Sequence, residues 1–75
     1  MTTSQIASQV AHLPTAEERY RALIDYNGRI QNMALRRMSR EQLVALIGYA
    51  DTRPNDPHSG TNGIAWGARR ELAKR

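Results

Sequence analysis

Apolar positions along this chain recur at three- and four-residue spacing, the period of a helix that buries one face. Ile6, Val10 and Leu13 form the first set. Thr2 and Gln5 precede it with the spacing of a capping box, in which each side chain bonds the other's backbone amide. Pro14 closes it, because proline lacks the amide proton and restricts the residue before it. The pattern predicts a first helix over about 2–13.

Thr15 and Glu18 repeat the capping-box spacing, with Glu17 and Glu18 in the favourable first turn. Tyr20, Leu23, Ile30, Ala34 and Met38 then share a stripe, flanked by Ile24, Tyr26 and Met33. Asp25, Gly28, Arg29, Asn32 and Arg36 fall opposite. The stripe keeps phase through Asn27-Gly28, which predicts one helix over 15–38 and puts Asn27 on the apolar side, in need of a partner. The competing reading is a break there, because Asn-Gly is a strong turn signal. Ser39 and Gln42 make a third capping box before Leu43, Leu46, Ile47 and Ala50, with Val44 beside them. This segment, about 40–51, is the most apolar and is expected to centre the core. Its very short junction with the preceding helix requires a corner or a tight hairpin.

The pattern lapses over 51–63, which holds Pro54, Pro57, Gly60 and Gly63. A connection this long inside a small domain is usually functional or mobile. Its Asp, Asn, Ser and Gly residues shape turns, so 52–61 is expected to be a semi-rigid loop that exposes Arg53, Asp56 and His58. Thr61 or Asn62 then caps a last helix over about 62–74, with Ile64, Ala65, Ala68 and Leu72 inward. Gly67 lies inside it at a propensity cost of about 1 kcal/mol. No two-residue alternation persists, so no strand is expected. The expected fold is all-α, a single domain over 1–75 with three to four helices, the long second helix packed on the third.

Seventy-five residues leave little stability margin for one core, and with no cysteine there is no disulfide to reinforce it. Self-association is therefore one candidate source of support, as a homodimer. No apolar run reaches the eighteen or so residues of a membrane span, and the N-terminus lacks a secretory pattern. The expectation is a cytoplasmic protein with no membrane partner. The net charge of +4 is spread evenly, so no basic tail stands out.

Candidate chemistry is sparse. The two histidines are His12, near the end of the first helix, and His58, in the loop. Asp51, Asp56 and His58 match no metal-ligand spacing. Ser59-Gly60-Thr61-Asn62-Gly63 lacks the Gly-Lys-Ser/Thr ending of a phosphate loop, and helix capping explains the same residues. No enzymatic activity, cofactor or metal site is expected. Two binding functions remain. The first is a regulator or adaptor that binds another protein, in the manner of phage- or plasmid-encoded modulators. Tyr49 and Trp66 would be its anchors, since Trp, Tyr and Arg dominate binding hot spots, with Arg53, Asp56 and His58 on the loop. The alternative is a nucleic-acid-binding regulator using Arg36, Arg37, Arg40, Arg69 and Arg70, if those clusters meet in space. Against this, the 40–51 segment offers few side chains able to read base edges, and the aromatics do not interleave with the basic residues. The bland reading of both aromatics is core packing in a chain that has only four of them.

Overall fold

The computed structural model describes residues 1–53 and 63–75. Among them are five helices and no strand: α1 Thr3–Ala11, α2 Ala16–Ile24, α3 Gly28–Arg36, α4 Arg40–Ala50 and α5 Gly63–Ala73. The all-α architecture is as the periodicity predicts, but the expected helix over 15–38 is two helices. The reason lies in Asn27. Its side chain accepts a hydrogen bond from the Ile30 amide at 3.1 Å and so caps α3, which satisfies this polar group without a buried partner. Gln31 completes the turn by donating its side-chain amide to Leu23 O at 2.8 Å and to Tyr26 O at 3.1 Å. The Asn-Gly signal therefore prevails over the phase of the stripe.

The other helix starts follow the cap residues. Thr2–Gln5 and Ser39–Gln42 form complete capping boxes. Thr15 caps α2, but Glu18 accepts from the Thr15 hydroxyl, at 2.9 Å, instead of from the backbone. The predicted cap of the last helix, Thr61 or Asn62, lies outside the described residues, as does most of the 52–61 loop.

Breaking the second helix resets which faces are buried. The core joins Ala7, Val10 and Ala11 of α1, Tyr20 and Leu23 of α2, Ala34 and Leu35 of α3, and Met38 at the next junction. Leu43, Leu46 and Ala50 of α4 and Ile64, Ala65 and Ala68 of α5 complete it. Leu35, off the sequence stripe, is buried, whereas Ile30, on it, stays half-buried and outside this cluster. α2 packs on α4, as expected of the N-terminal half of that segment, while α3 turns away to pack on α1 and α5. The Arg37–Ser39 junction is a corner, since α3 and α4 make little contact.

Gly67 proves to be a packing residue. A Cβ there would lie 3.2 Å from Leu35 Cδ1, a tight contact that a small shift of the Leu35 side chain would have to relieve. Gly48, in the last turn of α4, is exposed, and an added Cβ would meet nothing within 4 Å. Gly48→Ala should therefore stabilise the fold by about 1 kcal/mol through helix propensity alone, read as a higher denaturation midpoint. Asn27→Ala should lower stability by about 1 kcal/mol by removing the α3 cap, with Asn27→Asp retaining most of it. If Asn27→Ala left the midpoint unchanged, the cap would not be what holds the break.

Candidate functional site

Trp66 is 63% exposed although α5 is otherwise anchored in the core through Ile64, Ala65 and Ala68. It sits one step off that buried stripe, and Arg70 and Lys74 follow at i+4 and i+8, so the three share a ridge. The Arg70 guanidinium carbon stands 5.4 Å from the centre of the Trp66 ring, within cation–π range. Facing this ridge across an open groove of about 350 Å³ are Asn32, Leu35 and Arg36 of α3. Gly63 and Gly67 lie on the α5 side, adding no side chain to fill the space.

The groove is electropositive. Arg36, Arg70 and Lys74 line it, and its single carboxylate, Glu71, is held by Arg75 at 3.4 Å. Beyond Arg36 a second cleft, also about 350 Å³, is lined by Arg29, Met33 and Arg37 together with Arg36 itself. The two clefts thus meet along one exposed face of α3.

The structure divides the Arg set of the nucleic-acid reading. Arg36 and Arg70 face the same groove. Arg37 donates to both the backbone carbonyl and the hydroxyl of Ser4, the latter at 2.7 Å, and so ties α3 to α1. Arg69 pairs with Asp51 at 2.6 Å, linking α5 to the end of α4. Arg40 is exposed outside both clefts and makes no hydrogen bond or ion pair with the described residues. Arg75 donates to Met38 O at 2.7 Å, Arg36 O at 3.1 Å and Leu35 O at 3.3 Å. Lys74, Asn32 and Leu35 enter the site instead. The 66–70–74 spacing made Lys74 legible. The α3 residues were not, because their phase depends on the break at Asn27.

The protein-binding set is also divided. Tyr49 is half-buried and packs edge-on against Tyr20, with centroids 5.3 Å apart and planes at 70°. Arg53 is exposed just past α4. Asp56 and His58 lie outside the described residues. His12 donates through Nδ1 to Ser8 O at 2.7 Å, as a side chain at a helix C-terminus can. Among the described residues no group of three or more His, Cys, Asp or Glu side chains could hold a metal ion. No helix among them is long and apolar enough to cross a membrane.

The chain matches no family model, no curated protein and no solved structure.

Tyr49 and Trp66 differ in surroundings, so their truncation should separate packing from surface. Tyr49→Ala should destabilise by about 2 kcal/mol through lost contacts with Tyr20 and the core. Trp66→Ala should change stability by no more than about 1 kcal/mol, the scale of an exposed cation–π pair. Thermal and urea denaturation of both variants measure the difference. A Trp66→Ala protein that fails to fold would make Trp66 a structural residue.

Proposed function

We propose that this protein is a non-catalytic regulator that binds another protein on the α3–α5 face, with Trp66 as the anchor. The observation that carries this reading is the exposed Trp66 ring on the wall of a groove rimmed by Arg36 and Arg70. A folded chain with one tryptophan and no phenylalanine would gain stability by burying that ring, about 25 cal/mol for each Å² of apolar surface removed from water. Keeping it at the surface, beside two arginines, suits a binding anchor. Burial of the ring and desolvation of the arginine forks on docking would supply affinity, and the groove's shape would supply selectivity.

A second reading, binding to nucleic acid, is favoured by Arg36, Arg70 and Lys74 lining one groove. It is weakened by the chemistry of α4, which follows the α3–α4 corner as a recognition helix would. The exposed positions of α4 include Val44, Ala45 and Gly48, which offer no hydrogen bond to a base edge.

Affinity capture on the immobilised protein, from native lysate with and without nuclease, separates the two. The expected result is a retained protein that survives nuclease and is lost with Trp66→Ala, while Val44→Ala retains it. Equal retention by Trp66→Ala would remove the docking reading, and loss on nuclease treatment would favour nucleic acid.

A further inference from the structure

The charges around the two clefts specify a partner chemistry. The side chains of Arg29 and Lys74 make no hydrogen bond or ion pair with the described residues. Arg36 donates only to a carbonyl of its own helix, Asn32 O, at 3.4 Å. Arg70 stacks on Trp66. These four cations contrast with Arg37 and Arg75, whose guanidinium groups are taken up by backbone carbonyls. Glu71, the carboxylate lining the groove, is bonded to Arg75 and largely buried. The face therefore presents three guanidinium groups and one ammonium with no paired carboxylate among the described residues, and the guanidinium forks suit bidentate carboxylate binding.

Apolar groups punctuate the same face. Trp66 and Leu35 lie on one side of Arg36 and Met33 on the other. Methionine adapts its shape to varied side chains. Arg29 and Arg36 are separated by about 10 Å along α3, the length of three extended residues.

We infer that the occupant of this face is an acidic peptide segment of a partner protein, with carboxylates over Arg29, Arg36, Arg70 and Lys74 and apolar side chains entering on either side of Arg36. The inference rests on the docking reading above and deepens it. A single-stranded nucleic acid would match the charge, but single-strand sites also stack successive bases on several aromatic side chains. This face has one aromatic ring, with a guanidinium already against it.

Trp66 is the sole tryptophan, so its emission reports occupancy of the groove directly. The intact protein is titrated with three short Trp-free peptides and with oligodeoxythymidylate. One peptide is rich in Asp and Glu and carries two leucines, the second replaces Asp and Glu by Asn and Gln, and the third replaces both leucines by serine. The acidic leucine peptide should blue-shift Trp66 emission and bind at least about tenfold more tightly than either other peptide or the oligonucleotide. Arg36→Gln with Lys74→Gln should weaken it about tenfold while leaving the helical circular dichroism unchanged.

Equal binding of the neutral peptide, tighter binding of the oligonucleotide, or no response to any peptide would overturn the acidic assignment. In those cases Trp66-dependent, nuclease-resistant capture of a partner would leave the docking reading standing. Loss of that dependence is the separate result that removes the docking reading itself.

Discussion

The constraint on which this fold depends is the supply of hydrogen-bond donors to the carbonyl ends of short helices. A helix leaves its last four carbonyls without an internal partner, and the first three helices are only nine residues long. Their ends are therefore a large share of the backbone. Side chains from elsewhere in the chain reach them. Gln42 donates to Ala11 O at the end of α1, and Arg19 donates to Leu13 O and Pro14 O in the following turn. Gln31 serves the end of α2, and Arg75 serves the end of α3. The Gln42, Gln31 and Arg75 bonds close helix ends and the Arg19 bonds close a turn, and each joins its carbonyls to another element.

This use of donors sorts the basic residues. Arginine suits the role because its planar fork reaches several carbonyls at once and stays charged. Arg19 is 6% exposed and Arg75 bridges three carbonyls, which commits both forks to the backbone and leaves fewer of their N–H groups for a partner. The basic composition therefore overstates the charge available to a partner. What remains exposed along α3 and α5 is a smaller, more local set, and it surrounds the exposed Trp66 ring.

The core explains how that ring came to be spare. It is built largely from alanine and leucine, with Tyr20 as its largest buried side chain. Small residues allow five helices to approach closely, and Gly67 lies against Leu35 at the α3–α5 contact. In a core of this grain, tyrosine rings can pack edge-on, as Tyr20 and Tyr49 do, while Trp66, off the buried stripe of its helix, stays exposed.

Local chemistry was readable from the sequence by itself. The caps at Thr2, Thr15 and Ser39, the stop at Pro14, the apolar face of α4 and the inward face of α5 rest on interactions within a few residues, which spacing reports. The ridge formed by Trp66, Arg70 and Lys74 was equally within reach. A continuing stripe and a capping turn at Asn27 are both locally sound in the sequence, and the tertiary structure shows the second, held by the side-chain bonds of Asn27 and Gln31. It alone decided that Gly67 is a contact, that Arg37 and Arg75 are clamps, and that Arg36 faces Trp66. Those facts depend on which helix lies opposite, and periodicity along one chain carries no information about the neighbour.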